Sequence, residues 1–229
     1  MLKTIAIVAT EQSADLIGAE LARALLRENP NLNLLGVCGP RMRAAGLQEI
    51  AGIEELSVMG FADVLVNYRR LRRLQKRIIK SLLDQEVDAF IGIDGPDFNL
   101  PISRELRKLG ILTAQYVCPQ AWAWREGRVK SIRQSVDMMF ALFPFEEKFF
   151  QPKGIETTFV GHPLAESIQY QSQDQAQSSF NMSQRSEVVV ALMPGSRPAE
   201  IERHLASFLK AGEELSKTLD ERVKLLIGC

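Results

Sequence analysis

Short apolar runs rich in β-branched residues recur along the chain: TIAIVA (4–9), LNLLGVC (32–38), DAFIGID (88–94), LTAQYV (112–117), DMMFAL (137–142) and TTFVG (157–161). Between them stand amphipathic stretches, clearest at 15–28, 61–83 and 101–109. Strand-length apolar runs alternating with helical periodicity predict a doubly wound parallel sheet covered on both faces, an α/β fold. From 168 to 186 the pattern lapses into IQYQSQDQAQSSFNMSQRS, which predicts a polar linker. A second β–loop–α–β series follows, with EVVVALM (187–193), PGSR (194–197), a helix near 198–218 and VKLLIGC (223–229). The expected organisation is an N-terminal domain over 1–167, a linker over 168–186 and the start of a second domain over 187–229. One β–α–β unit cannot cover both faces of its sheet, so this second domain reads as truncated.

Composition narrows the function. Of 229 residues, 46% are hydrophobic and 24% charged, with 28 basic and 28 acidic side chains. That balance suits a soluble globular chain and excludes wholesale nucleic-acid binding. Cys38, Cys118 and Cys229 are odd in number and far apart, which indicates neither a disulfide framework nor a zinc site and fits a reducing cytoplasm. The N-terminal apolar run turns polar at Thr10, too soon for a signal-peptide core, and no run reaches the roughly 18 apolar residues of a membrane span. Contact with a membrane surface stays open.

Four stretches carry candidate chemistry. The polar turn after the first run, Thr10–Asp15, lies where doubly wound sheets bind ligands; alternatively Ser13 or Asp15 simply caps the helix. It has no G-x-G-x-x-G, so a dinucleotide reading lacks support. In IGIDGPDFNLP (91–101), Asp94 ends a strand and precedes Gly95, which makes it the better candidate general base; Asp97 or Asn99 suits capping of a helix that opens near Pro101. VCPQAWAWREGRV (117–129) holds both tryptophans of the chain, Trp122 and Trp124. Their indole faces suit sugar rings or acyl chains, or else plug the sheet end, while Arg125 and Arg128 suit phosphate. A spacing of two puts the indoles on opposite sides of an extended segment. PGSRPAEIERH (194–204) lets Gly195 and Ser196 bring backbone close to an anion, with Arg197 for charge, unless these residues serve only the helix start. His162, after a strand, reads as a hinge or structural residue.

One helix stands apart by charge. Residues 64–83 contain no acid and carry Arg69, Arg70, Arg72, Arg73, Lys76, Arg77 and Lys80, with Leu71, Leu74, Ile78 and Leu82 at helical spacing. Such a helix lies on an anionic membrane or nucleic acid, or forms a solvated outer face. Upstream, LSVMGFADVL (56–65) contains Met59 and Phe61 and either docks with lipid or joins the core.

Together CGPRMRAAG, LSVMGFADVL, IGIDGPDFN, YVCPQAWAWREGRVKSI, ALFPFEEKFF, FVGHPLAE and LMPGSRPAEI resemble the lipid-A-disaccharide synthases, in that family's order and almost end to end. The resemblance implies a GT-B glycosyltransferase of two Rossmann-like domains. It would transfer a diacylglucosamine from UDP to a 1-phosphorylated diacylglucosamine by single inverting displacement, in lipid A (lipopolysaccharide) biosynthesis of a Gram-negative bacterium. Asp94 would be the base; Glu11, Ser13, Asp15, Asp97, Asn99, Trp122, Trp124 and Arg125 would line the substrate site; Gly195, Ser196 and Arg197 would hold the UDP diphosphate. Met59, Phe61, Arg69, Arg70, Arg72 and Arg73 would face the cytoplasmic side of the inner membrane, where the enzyme would sit peripherally. No metal or other cofactor is implied. A homo-oligomer or a complementing chain is an expected partner. Rivals are a non-catalytic acceptor-binding fragment and another GT-B UDP-sugar enzyme. The family's GEASGD loop is here Thr10–Asp15, without either glycine, so added side chains are expected to crowd any substrate passing that backbone.

Overall fold

The computed structural model describes residues 2–57, 64–124, 126–168, 170–172, 175, 178, 188–195, 198–219 and 223–228. Met59, Phe61, Arg125, Ser196, Arg197, the side chain of Trp124 and most of the 168–186 stretch lie outside the described residues. The chain divides into two compact units, Met1–Ile168 and Gln169–Cys229.

In the first unit seven parallel strands form one sheet: β1 (Thr4–Ala9), β2 (Asn33–Cys38), β3 (Gln48–Gly52), β4 (Ala89–Ile93), β5 (Leu112–Tyr116), β6 (Met138–Ala141) and β7 (Glu156–Phe159). Their order is β3-β2-β1-β4-β5-β6-β7. Six of them coincide with the apolar runs. The seventh, β3, reads QEIAG; it is an edge strand that exposes Gln48 and Glu49, so it carries no apolar run to betray it. Central β1 and β4 are buried along nearly their whole length, as strands flanked on both sides and covered on both faces must be.

The long helices are α1 (Gln12–Glu28), α4 (Val64–Asp84) and α5 (Pro96–Lys108); between and after them come the short α2 (Pro40–Ala44), α3 (Glu54–Ser57), α6 (Ala121–Trp124), α7 (Val129–Arg133), α8 (Pro144–Phe150) and α9 (Pro163–Ser167). The start of α5 corrects the expectation of a helix opening near Pro101. Pro96 takes the first helical position, where its fixed φ is favourable, and Pro101 sits inside, unable to donate to the Asp97 carbonyl. In α4 the spacing works as read: Leu74, Ile78 and Leu82 are buried in the main core. Each contributes about 1.5–3 kcal/mol by the usual burial scale. The apolar stripe is therefore committed to the protein interior, and what α4 offers outward is charge.

The second unit contains β8 (Val188–Leu192), α10 (Pro198–Leu219) and β9 (Val223–Ile227). The two strands pair in parallel from Val188–Val223 to Leu192–Ile227, a β–α–β unit at the expected place. Among the described residues no helix is long and apolar enough to cross a membrane.

Candidate functional site

Strand order reverses between β1 and β4: the chain proceeds outward to β2 and β3 on one side and to β5, β6 and β7 on the other. The loops leaving β1 and β4 must diverge there, which opens a crevice at the carboxyl edge of the sheet. The two loops are Thr10–Glu11 and Asp94–Gly95, so the topology brings together two segments 84 residues apart in sequence. They touch. A Cβ on Gly95 would lie 2.4–2.8 Å from three side-chain atoms of Thr10.

Asp94 occupies this edge half-buried, with φ of 49°, and Gly95 follows at 46°. A left-handed non-glycine residue costs about 1–3 kcal/mol and persists only where its surroundings hold it. Here two amides do so. Asn99, fully buried on α5, donates its Nδ2 to the carbonyls of Asp94 (2.8 Å), Ile93 (3.2 Å) and Val8 (3.3 Å). Gln115, fully buried on β5, donates its Nε2 to Asp94 O (3.0 Å), Tyr116 O (3.3 Å) and Val117 O (3.4 Å). Val117 is itself left-handed, with φ of 70°, so adjacent strands end in adjacent strained turns laced by one glutamine.

The remaining expected residues fall into different places. Asp15 is 2% exposed, and its carboxylate accepts from the backbone N–H groups of Gly39 (2.8 Å), Arg41 (3.0 Å) and Met42 (3.1 Å). It caps α2, 24 residues away, rather than its own helix, and its oxygens are engaged within the fold. Ser13 caps nothing either; its hydroxyl donates to Glu11 at 2.7 Å, and Glu11 holds the N-cap position of α1 with no side-chain cap bond. Asn99, expected among the substrate contacts, is a buried clamp, because its amide reaches three carbonyls only from inside the sheet. Neither Asp97 nor Asn99 caps α5: Gly95 is its N-cap, without a side-chain bond, and exposed Asp97 pairs with Arg128.

The tryptophan segment is not extended. Residues 121–124 form one helical turn, α6, followed by a 3-10 turn at Glu126–Arg128. Trp122 plugs nothing: it is 42% exposed, edge-on to Phe145 at 4.9 Å, and Phe145 stacks with Phe143 at 5.9 Å. Beside it the buried Glu146 carboxylate accepts from Leu142 N and Phe143 N at 3.1 Å each. α6 follows β5 and α8 follows β6, so this aromatic platform lies on the Asp94 edge of the parallel sheet. Phe143, Phe145 and Gln115 are the site neighbours that sequence reasoning missed; the only signal for the first two was an F-P-F triplet directly after a strand.

Arg69, Arg70, Arg72 and Arg73 are all exposed on α4. Arg70 lies 3.5 Å from the Glu55 carbonyl, and Arg72 stacks over Tyr68 at 5.4 Å while its Nε donates to the Tyr68 hydroxyl at 3.0 Å. In the second unit Gly195 lies in the loop after β8, and the Pro194 carbonyl beside it is 2.9 Å from His204 Nδ1 of α10. His162 caps α9, its Nδ1 accepting from Leu164 N at 3.2 Å. Burial, with Glu49 nearby, pushes the Cys38 thiol up to about 12; burial, with Glu146 nearby, raises that of Cys118 as well. Neither is a thiolate nucleophile near neutral pH.

The model of the lipid-A-disaccharide synthetase family matches residues 5–228. Lipid-A-disaccharide synthase of Pseudomonas putida KT2440 is 43% identical over 225 residues, covering 98% of this chain and 60% of that protein. The same enzyme of Pseudomonas syringae pv. tomato is 46% identical over 211 residues, covering 92% and 56%. The chain thus spans about 60% of the length of these curated relatives. Among solved structures, UDP-GlcNAc 2-epimerase of Neisseria meningitidis superposes with a TM-score of 0.60 at 11% identity, covering 99% of this chain and 66% of that one. MurG of Acinetobacter baumannii gives 0.53, also at 11% identity, over 99% and 66%. At such identity the structures speak for the fold, which is α/β, Rossmann-like and of the GT-B type. The sequence relatives speak for descent: this chain belongs to the lipid-A-disaccharide synthetase family.

Proposed function

We propose that the chain serves a lipid-A-disaccharide synthase, with Asp94 as general base. In that reaction the 6-hydroxyl oxygen of 2,3-diacylglucosamine 1-phosphate attacks the anomeric carbon of UDP-2,3-diacylglucosamine. The bond from that carbon to the UDP oxygen breaks, the hydroxyl proton passes to the Asp94 carboxylate, and UDP departs with inversion. The observation that carries the reading is the carboxylate's setting. It stands at the topological switch point, where α/β sheets bind ligands, on a strained turn fixed by two buried amides. Glu11 and Ser13 border the same crevice, and the Trp122–Phe145 platform offers ring faces to sugar or acyl chain on the same edge. Gly195, Ser196 and Arg197 belong to the UDP side. No metal or cofactor takes part.

The basic outward face of α4, Arg69 to Arg73, attracts anionic lipid, consistent with peripheral attachment at the cytoplasmic face of the inner membrane. Because Leu74, Ile78 and Leu82 are in the core, that attachment by α4 is electrostatic and weakens with salt. A transfer assay that follows UDP release and disaccharide formation tests the reading. In a complete enzyme, Asp94→Asn should cut turnover by orders of magnitude while sparing lipid binding; near-normal turnover removes Asp94 from the base role. Acceptor binding without UDP release by the unaltered chain would instead favour an acceptor-binding module that needs a second chain.

A further inference from the structure

A cavity of about 270 Å³ lies along one side of α5, walled by α4 and α7. Its lining includes Leu100 and Ile132 and three arginines: Arg72 from α4, Arg104 from α5 and Arg128 from the turn before α7. Charge accounting around it is uneven. Arg128 is neutralised by Asp97, and Glu105, the other acid on the wall, is neutralised by Lys108 at 2.7 Å. Arg72 and Arg104 have neutral partners instead. The Tyr68 hydroxyl takes Arg72 Nε, and the Gln134 amide oxygen takes one terminal nitrogen of Arg104. Among the described residues neither guanidinium meets a carboxylate.

We propose that this cavity is a phosphate-ester site, with Arg72 and Arg104 as its paired ligands. A neutral partner fixes an arginine without discharging it, so the group keeps its full positive charge and its remaining N–H donors. That is the arrangement suited to a tetrahedral phosphate anion, which accepts from two planar forks at once. Holding the forks in place beforehand lowers the ordering cost of binding. The volume falls just below the roughly 300 Å³ at which drug-sized sites begin, which suits a small phosphate ester or a phospholipid headgroup. Arg72 on its wall is one of the exposed arginines of α4, so either a soluble ester or a headgroup presented by a membrane is a candidate occupant. The proposal does not depend on Asp94 as base, since Asp94 does not line the cavity.

The test compares the unaltered chain with Arg72→Gln/Arg104→Gln and with Arg23→Gln/Arg27→Gln, which removes equal charge from the exposed side of α1. Calorimetric titration with glycerol phosphate should show saturable binding by the chain and by the α1 variant. Affinity should fall at least tenfold in the cavity variant, with thermal unfolding unchanged in all three. Sedimentation with phosphatidylglycerol/phosphatidylcholine vesicles then separates the sources. If Arg104→Gln alone, which keeps every arginine of the α4 face, loses at least fivefold more vesicle binding than the α1 variant, a lipid headgroup is the occupant. If the two sediment alike, the occupant is a soluble phosphate ester. Absence of saturable glycerol phosphate binding by the unaltered chain, or equal loss in both variants, overturns the proposal.

Discussion

The side-chain nitrogen of Gln115 lies 3.0 Å from the main-chain carbonyl of Asp94, reaching from the middle of β5 to the turn that ends β4. The same carbonyl accepts from Asn99 at 2.8 Å, so two buried amides hold one oxygen. Each has its own oxygen, Asn99 Oδ1 and Gln115 Oε1, buried without a partner in the structure. Buried polar groups left unpaired are costly, which makes packing economy a poor reason for two amides here. Their use is to fix a left-handed aspartate, and with it the direction of a carboxylate, where a relaxed strand end would not hold it.

Gln115→Leu takes one of two donors from the Asp94 carbonyl, which keeps Asn99, and should therefore destabilise the fold by about 0.5–1.5 kcal/mol, the net worth of a typical hydrogen bond. In a transfer assay it should lower kcat by more than it raises KM, since binding surfaces stay in place while the base is misdirected. Denaturant titration and steady-state kinetics read the two effects separately. An unchanged kcat in a destabilised protein would confine Gln115 to stability.

Thr10 and Gly95 make a second coupled pair. Thr10 replaces the first glycine of the family's loop, and its side chain fills the space that any side chain at 95 would need. Gly95→Ala meets both that contact and a left-handed φ, and should cost about 1–3 kcal/mol. Adding Thr10→Gly should relieve the steric part alone. A double-mutant cycle by chemical denaturation is expected to give a coupling above about 0.5 kcal/mol, the scatter seen between independent sites. Simple additivity would mean the two loops adjust without feeling each other.

How much of this was legible beforehand follows from what each residue does locally. Six strands of the main sheet and α1 and α4 announce themselves by apolar periodicity, because burial on a central sheet or helix stripe leaves that mark. Edge strand β3 does not, as half its residues face water. Asp94 was legible by chain position, at the end of a strand and before Gly-Pro. The roles of Asn99 and Asp15 were not, since each bonds backbone brought near only by the parallel topology: Asn99 reaches Val8, 91 positions away, and Asp15 reaches Gly39, 24 away. Gln115 looked like one polar residue in a strand. Only the register that sets β5 beside β4 turns it toward Asp94.

Two carboxyl groups give the fold opposing pH dependences. Burial raises the Asp137 carboxyl, but the Thr113 N–H, the Arg107 guanidinium at 2.8 Å and the Thr113 hydroxyl outweigh it, and the net shift is downward. The folded state thus binds that proton less tightly, and the stability Asp137 adds is present above the unfolded value near 3.9 and lost as pH falls through the folded one. Glu146 runs the other way. Burial raises its carboxyl despite the N–H groups of Phe143 and Leu142 and the indole of Trp122. Its contribution is fullest below the unfolded value near 4.3 and is lost as pH rises through the folded one. Melting temperatures from pH 3 to 8 should show Asp137→Asn flattening the acid limb and Glu146→Gln flattening the decline above it. A Glu146→Gln profile parallel to that of the unaltered chain contradicts the upward shift.

Asp15 separates structural from ligand-binding roles most cleanly, because its position predicts one and family resemblance the other. Its carboxylate serves three backbone N–H groups at the start of α2, with the bonds from Gly39 and Met42 buried and that from Arg41 part-buried. Asp15→Ala orphans all three, at about 1–3 kcal/mol for each buried group that cannot find water, partly offset by local relaxation. A loss above about 2 kcal/mol is therefore expected, larger than the roughly 1 kcal/mol typical of one exposed N-cap. Asp15→Asn should keep part of the cap through its amide oxygen and fall between. If Asp15 acts on ligand only by holding α2 and the loop before it, both variants should lose acceptor affinity in proportion to lost stability, and a stabilising cosolvent such as sucrose should restore the two together. Asp15→Ala that melts normally yet no longer binds acceptor would show the carboxylate to be a substrate contact after all.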